Sequence, residues 1–208
     1  MTAALLTLAD SRLPAGGHTH SGGVEQAIAA GVVHDPGSLA TFLRRRLVTA
    51  GAVAAGLAAA ACAGEDLAVL DAEADARTPS PALRAASRQQ GRGLVRVGRR
   101  AWPSGAWDAL PAQPHHPVAL GVAAAAGGLT PRDAAQAAAY LSVSGPATAA
   151  QRLLAMDPLT VAAVTARLAP EIDAVADSAT DELPAATDPL LDLLAEVHVA
   201  RTDRYFAS

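Results

Sequence analysis

Residues 47–64 read LVTAGAVAAGLAAAACAG, an uncharged run made mostly of alanine and glycine. Three arginines precede it at 44–46, and Glu65 and Asp66 follow it. The run is nearly long enough to cross a bilayer, but a span needs about 20 strongly apolar residues and alanine adds little hydrophobicity. Small side chains instead allow neighbouring helices to approach closely. The run therefore predicts a buried helix with closely packed neighbours, in a protein without a membrane partner.

The rest of the chain shares the small, aliphatic character of this run. Hydrophobic residues make up 51% of the 208 residues and aromatic residues only 3%, so the core is expected to consist of small aliphatic side chains. A chain of this length fits one domain, or at most two small ones. No linker-like segment divides it, and we predict a single domain over residues 1–208.

The charge balance argues against a dedicated nucleic-acid-binding protein. The chain carries 16 basic and 20 acidic residues, a net charge of −4, whereas such proteins are normally basic. Its one cysteine, Cys62, excludes a disulfide within the chain and a cysteine-rich metal site. The first residues lack the basic segment of a secretory signal, so we expect a cytoplasmic location.

Helix starts are the clearest local signal outside the alanine run. Pairs of an oxygen-bearing residue and proline recur, in which the first side chain caps a helix and proline takes its first position. Apolar residues follow at helical spacing, and the alternating β-branched runs typical of strands are missing. We therefore predict an all-α, single-domain bundle of about eight to ten helices with Ala/Gly packing. The pairs are Asp35-Pro36, Thr78-Pro79, Ser80-Pro81, Thr130-Pro131, Asp157-Pro158 and Asp188-Pro189. The expected spans, some of which merge, are 2–10, 22–31, 36–63, 65–76, 80–102, 116–128, 131–144, 145–155, 158–169, 171–179 and 188–202.

A glycine-rich segment, RLPAGGHTHSGG at residues 12–23, precedes the helix that carries Glu25. It lacks the lysine of a phosphate-binding P-loop, which excludes that function. It forms either a capping turn, in which Ser21 or His20 caps the next helix, or a binding surface, or part of a metal site. The histidines available to a metal-dependent enzyme are His18, His20, His115 and His116.

A row of arginines follows one predicted helix without an intervening acid. Like charges four residues apart destabilise a helix, and glycines inside it cost about 1 kcal/mol each. Such a helix needs acidic partners for its arginines and a closely packed neighbour for its glycines. Two other interpretations remain open. The row is a solvent-exposed face without partners, or it is the contact surface of an anion- or nucleic-acid-binding regulator. It comprises Arg84, Arg88, Arg92, Arg96 and Arg100, with Arg99 beside it and Gly91, Gly93 and Gly98 between them.

An acidic segment near the C-terminus balances this row. It offers either an intramolecular match for the arginines or a separate face for another partner. Its members are Glu171, Asp173, Asp177, Asp181, Glu182, Asp188, Asp192 and Glu196.

The last eight residues, RTDRYFAS at 201–208, combine arginines with the aromatic pair Tyr205 and Phe206. Aromatic and arginine side chains are typical anchors of interfaces. The segment from about 200 to 208 therefore docks on a partner or on the chain's own core, or else is a disordered end.

Motifs of catalysis are missing from the sequence. HExxH and GxSxG do not occur, and Cys62 has no nearby charge that would activate it. We expect no catalytic residue, no bound metal and no bound cofactor.

The chain resembles the UreF-type urease accessory proteins over essentially its whole length. Its opening, LLTLADSRLPAGGHTHSGGVEQAIAAGVV at 5–33, and its end, RYFAS at 204–208, are similar to the most specific motifs of that family. The segments LRAASRQQGRGLVRVG at 83–98 and PHHPVALG at 114–121 are similar to two further ones. The family-motif loop comprises Leu13, Pro14, Gly17, His20, Ser21, Gly23 and Glu25. The tail departs from the family pattern at Val199, Thr202, Asp203 and Tyr205.

The resemblance implies a non-catalytic, usually dimeric scaffold that joins a UreD/UreH-type accessory protein and recruits the UreG-type GTPase. That assembly delivers nickel to apo-urease, so nickel and GTP are handled by the partners. It also implies that Arg152 occupies the position of a basic residue that faces the GTPase, and we add Arg88, Arg92 and Arg96 to that face. The side expected to contact UreD/UreH comprises His198, Arg204, Tyr205, Phe206 and Ser208.

Overall fold

Helices begin where the capping pairs predict. The computed structural model describes residues 3–10 and 12–208. In each helix that starts with such a pair, the side chain before the proline accepts a backbone N–H of the first turn, which satisfies a donor that has no partner within the helix. These caps are Asp35, Ser80, Thr130, Asp157 and Asp188. Thr78-Pro79 starts no helix, because the adjacent Ser80 caps the helix that begins at Pro81.

The described residues contain no strand, which confirms the predicted all-α bundle. Short 3-10 turns occupy Gly17–Thr19 and Gly105–Ala109. The α-helices are α1 Ala3–Leu8, α2 Val24–Ala29, α3 Pro36–Arg46, α4 Ala52–Ala63, α5 Leu67–Ala76, α6 Pro81–Ala101, α7 His116–Ala126, α8 Pro131–Leu153, α9 Pro158–Arg167, α10 Ala169–Ser178 and α11 Pro189–Ala200.

The alanine run is the core helix of the bundle. Helix α3 continues through a π-helical turn, Leu47–Gly51, into α4, which packs against α7 and α8. A Cβ on Gly121 of α7 would overlap the backbone of Ala58, so these two helices touch through their main chains. Among the described residues, Pro36–Ala63 is the one stretch long and apolar enough to cross a membrane, and 56% of its most apolar window is buried inside the protein. The predicted buried helix is confirmed.

The glycines of α6 have the close neighbours that the sequence requires. A Cβ on Gly91 would overlap the carbonyl oxygen of Pro114, and one on Gly93 would overlap the carbonyl oxygen of Ala15. Gly98 lies against the ring of buried Trp107. These contacts offset the low helix propensity of glycine, so α6 persists over its full length.

Two of the expected helical spans merge. Residues 131–144 and 145–155 belong to the one helix α8, which runs unbroken through Pro146. Proline has no N–H, so the carbonyl of Ser142, four residues earlier, loses its helical donor. The Nε of Arg46 donates to that carbonyl at 3.0 Å instead. A side chain from α3 therefore supplies the hydrogen bond that would otherwise be missing at Pro146.

Candidate functional site

The C-terminal tail lies on the glycine-rich loop of the N-terminal region. The backbone N–H of Ala207 donates to the carbonyl of Thr19 at 2.7 Å, and that of Ser21 donates to Ser208 at 2.5 Å. The Nδ1 of His20 lies 2.6 Å from the hydroxyl of Ser208. The two most specific sequence motifs therefore form one contact, although they stand at opposite ends of the chain.

Glu25 is the centre of this contact. Its carboxylate accepts the backbone N–H groups of Tyr205 at 2.7 Å and Phe206 at 3.0 Å. The Nε2 of His198 lies 2.9 Å from the same carboxylate, and because a carboxylate only accepts, this nitrogen carries the proton. Glu25 is 4% exposed and His198 is 1% exposed. A buried carboxylate with three donors holds the tail, and we call Glu25, His198, Tyr205 and Phe206 the tail clasp.

Opposing effects set the pKa of Glu25. Burial disfavours the charged carboxylate, but the hydrogen bonds from His198, Tyr205 and Phe206 together outweigh it and keep the pKa below its ordinary value. The carboxylate is therefore ionised at neutral pH, as an acceptor of three donors must be.

Glycines shape the loop that carries Glu25. Gly22 and Gly23 have φ of 62° and 88°, which only glycine adopts without strain, and Gly23 is the residue that precedes α2. Neither Ser21 nor His20 is the helix cap, which corrects that detail of the capping-turn interpretation, although the Ser21 hydroxyl accepts the N–H of Glu25 at 3.4 Å. His20 instead faces the tail. The loop is thus both a turn and a binding surface for the chain's own C-terminus.

The predicted tail residues divide into two groups. Phe206 packs against the main core, which fixes the tail inward. Tyr205 is 86% exposed. Arg204 is also exposed, and its guanidinium donates to the carbonyl of Val199 at 3.4 Å. The hydrogen bonds of the clasp therefore hold the backbone while Arg204 and Tyr205 point outward.

Helix α11, which leads into the tail, also exposes apolar side chains. Leu191, Leu194 and His198 are buried, whereas Val197 and Leu193, one turn earlier, are exposed. Since successive residues turn by about 100° in a helix, these two residues lie on the flank of the buried stripe. We call Leu193, Val197, Arg204 and Tyr205 the tail face.

The arginine row of α6 is only partly free. Arg88 lies between two carboxylates of α5, 2.9 Å from Asp71 and 2.6 Å from Asp75. Arg99 pairs with Asp108, and Arg84 lies 3.9 Å from Asp75. Arg92 binds the neutral side chain of Gln113, whereas Arg96 and Arg100 have no polar partner in the described part of the chain. Arg92, Arg96 and Arg100 are exposed and carry the remaining positive charge.

The acidic segment pairs with arginines outside this row. Three carboxylates on or beside α10 and α11 bind guanidinium groups of α3 and α8 at 2.6 to 2.9 Å. Glu196 instead accepts from the Ser80 hydroxyl and the Ala82 backbone at the start of α6. The acidic segment therefore finds its partners within the chain, but these partners are arginines of α3 and α8 and not those of the α6 row. The ion pairs are Arg44–Glu171, Arg45–Asp188 and Arg132–Asp177.

Arg152 is exposed near the end of α8. No polar partner for it occurs among residues 3–10 and 12–208. With Tyr140 and Thr148 of the same helix it lines an open cavity of about 220 Å³. Its charge is available to a partner at the protein surface.

The histidines proposed for a metal site have other surroundings. His115 is buried, with Ser87 3.0 Å from Nδ1 and Asp75 2.8 Å from Nε2. His20 contacts Ser208, and His18 is exposed. The described residues include no group of three or more His, Cys, Asp or Glu that could hold a metal ion. Burial also raises the pKa of Cys62 to about 11, so its thiol is protonated at neutral pH.

Sequence reasoning missed Arg46. Its partner is the Ser142 carbonyl, and burial, which disfavours the charged guanidinium, lowers its pKa to about 10. The signal that could have found it is Pro146, because a proline inside a helix leaves a carbonyl that needs a donor from elsewhere. Arg46 lines the same cavity as Arg152.

Comparison with known proteins finds similarity along nearly the whole chain. The sequence profile of the family named UreF matches residues 33–169. The urease accessory protein UreF of Mycolicibacterium vanbaalenii is 55% identical, over 99% of this chain and 98% of that protein. Those of Mycobacterium sp. strain JLS and Mycobacterium tuberculosis H37Rv are 54% and 51% identical, over 98% and 99% of this chain and 97% and 98% of theirs.

Proposed function

This chain belongs to the UreF family of urease accessory proteins, and on that premise we propose that it is a non-catalytic scaffold for urease maturation. It works in the cytoplasm as a homodimer, joins a UreD/UreH-type protein and recruits a UreG-type GTPase. That assembly inserts nickel into apo-urease with GTP hydrolysis. Nickel and GTP are held by the partners, and this chain supplies the surfaces that bring them together.

The observation that carries this proposal is the tail clasp. Three donors on one buried carboxylate order a chain end that would otherwise fray. The clasp orders the tail without using the exposed side chains of Arg204 and Tyr205. The tail backbone is held from inside, while Arg204 and Tyr205 face outward. Such a tail is suited to binding a protein partner, because the entropic cost of ordering its backbone is met before association.

The tail face is the contact for the UreD/UreH-type partner. Tyrosine and arginine are enriched among residues that dominate binding energy, and Leu193 and Val197 of the preceding helix add exposed apolar side chains. Of the residues expected to contact this partner, His198, Phe206 and Ser208 act indirectly. They hold the tail in place and leave the direct contact to Arg204 and Tyr205.

Arg152 is the contact for the GTPase, with Arg92 and Arg96 as a second basic surface. All three are exposed and have no carboxylate partner in the described chain. Arg88, which the sequence placed on this face, has a different role here. It joins α5 to α6 through Asp71 and Asp75 and is not free to bind a partner.

The assembly is tested by a pull-down of the cognate GTPase with and without the UreD/UreH-type partner, followed by light scattering. We expect a complex with equal copies of each chain. Arg152→Ala should weaken GTPase recruitment about tenfold or more, since a charged hydrogen bond contributes about 1.5–3 kcal/mol. Arg167→Ala is the matched control, because Arg167 is also exposed, unpaired in the described chain and near the end of a helix. Recruitment by Arg152→Ala at the level of the control would refute the role of Arg152, and failure of the folded chain to bind either partner would refute the scaffold.

A further inference from the structure

Two adjoining open cavities between the helices share a wall of partly exposed polar residues. They have volumes of about 220 Å³ and about 170 Å³. Gly22, Arg46, Gln90 and His116 line both of them. Each cavity is much larger than the roughly 30 Å³ that one water occupies in the liquid, so a small solute fits beside the wall.

Arg46 brings an uncompensated positive charge to this wall. Its Nε donates to the Ser142 carbonyl, so one of its hydrogen-bond donors has a partner. Its two terminal nitrogens have no partner in the part of the chain that the structure describes, and no carboxylate there lies within ion-pair distance. Gly22 covers the guanidinium, since a Cβ at that position would lie 3.3 Å from Cζ of Arg46. Arg46 is only partly exposed, and an unpaired guanidinium in such a place favours an anion beside it.

Gln90 and His116 add further unused polar groups. Neither side chain has a hydrogen-bond partner among the described residues, although the backbone N–H of His116 donates to Ser87. In the described chain, every side-chain nitrogen or oxygen that is sealed from solvent has a hydrogen-bond partner. The unpaired polar atoms of Gln90 and His116 are therefore open to the space of the cavities. Amide, imidazole and guanidinium donors thus converge on one place.

The charges around the larger cavity favour an anion over a metal cation. Arg46 and Arg152 both line it, and its one acid, Asp10, is bound to Arg12 at 2.8 Å. Burial lowers the pKa of His116 to about 4 and also lowers that of His20, so neither imidazole is charged at neutral pH. A metal cation would be repelled by Arg46, whereas an anion would meet it directly. The smaller cavity also contains Asp188 and Asp192, and Asp188 is bound to Arg45, so we place the ligand on the side of the larger one.

We propose that Arg46, Gln90 and His116 bind a small inorganic oxyanion such as phosphate, sulfate or bicarbonate. The terminal nitrogens of Arg46 match two oxygens of such an ion in one plane, and Gln90 and His116 each donate one further hydrogen bond. The site is separate from the tail face and needs no partner protein. It adjoins the family-motif loop through Gly22, which gives that glycine a role in covering the guanidinium.

The first test uses the unmodified chain and needs no variant. Phosphate is titrated at constant ionic strength, with chloride as the balancing ion, while the imidazole signals are followed by NMR across pH. A bound anion favours the charged imidazole, so the pKa of His116 should rise by about one unit or more, while that of exposed His34 stays unchanged. His116→Gln assigns the signal. A His116 pKa unaffected by saturating phosphate, sulfate and bicarbonate alike would overturn the proposal.

Calorimetry on variants tests the residues. Arg46→Gln should weaken phosphate binding about tenfold or more, and Gln90→Leu about two- to tenfold, because charged and neutral hydrogen bonds contribute differently. Arg167→Gln, the exposed control, should bind like the unmodified chain. If Arg46→Gln does not fold, Gln90→Leu and the NMR titration decide. Equal affinity in Gln90→Leu and the unmodified chain would place any bound anion elsewhere. Sulfate, bicarbonate and acetate in parallel show whether the site selects a tetrahedral oxyanion or accepts any carboxylate-like ion.

Discussion

At the residue scale, the order of the C-terminal tail depends most on Glu25. A buried carboxylate is costly unless donors surround it, and here the donors come from a helix and a tail that are remote in sequence. The same residue therefore decides whether the last residues are ordered. Changes at Glu25 should affect the tail before they affect the bundle.

Glu25→Gln should release the tail. The amide keeps one acceptor oxygen but loses the charge, and its NH₂ group faces donors of the tail. Exchange of the Tyr205 and Phe206 amide hydrogens should accelerate about tenfold or more, since hydrogen bonds to charged groups contribute about 1.5–3 kcal/mol. Hydrogen-exchange mass spectrometry measures this, with Glu65→Gln, at an exposed position with no side-chain partner in the described chain, as control. Unchanged exchange in the C-terminal peptide would show that Glu25 does not hold the tail.

Tail order should also depend on pH. The folded pKa of Glu25 is lowered, so its contribution is fully present above the ordinary glutamate pKa and is lost as pH falls through the folded value. Protection of the tail amides should therefore be constant near neutrality and fall under acidic conditions below the ordinary glutamate range. Exchange measured across pH, after correction for the intrinsic rate, checks this. A loss of protection between pH 6 and 8 would contradict it.

At the element scale, α6 shows how main-chain contacts and ion pairs compensate an unfavourable helix sequence. Gly91 has no room for a side chain against Pro114. Gly91→Ala should lower the free energy of unfolding by about 1–3 kcal/mol, because overpacking outweighs the gain in helix propensity. Gly37→Ala in α3, where a Cβ would make only ordinary contacts, should be neutral or slightly stabilising. Chemical denaturation measures both, and equal stability of the two variants would contradict the close approach.

The arginine row provides a second test at this scale. Arg88→Gln should destabilise the chain by about 1–2 kcal/mol, because it leaves Asp71 and Asp75 without their shared partner in a half-buried site. Arg96→Gln should leave stability unchanged, since Arg96 has no such partner among the described residues. Denaturation midpoints of both variants decide. A stable Arg88→Gln chain with reduced GTPase binding would return Arg88 to the interface.

Local sequence signals predicted where helices begin, but they did not predict which residues contact each other across the fold. Asp35, Thr130 and Asp157 mark helix starts because capping acts within one turn of the chain. Local signals do not show that α8 continues through Pro146, because the donor to the Ser142 carbonyl comes from Arg46, 96 residues earlier. Local chemistry sets most helix boundaries. At Pro146 a distant side chain satisfies the carbonyl that the proline leaves without a donor, and the helix continues.

At the scale of the whole molecule, the site could be predicted only in part. Family resemblance identified the loop and the tail as separate motifs, but their junction at Glu25 links positions 180 and 181 residues apart and has no local signal. Phe206 packs inward and Tyr205 points outward, and this difference likewise depends on where the core ends. The sequence pattern indicated an anchor without saying which side chains were free to bind.

The scaffold role depends on the tail face, and the affinity of this chain for its cognate UreD/UreH-type partner tests it most directly. Calorimetry should compare the unmodified chain with Tyr205→Ala and with Val69→Ala, an exposed apolar control on α5. Tyr205→Ala should lose about tenfold or more in affinity with unchanged stability, because its exposed ring supports no packing within the chain. Val69→Ala should bind normally. Equal affinity of all three proteins would contradict the claim that the ordered tail is the docking anchor.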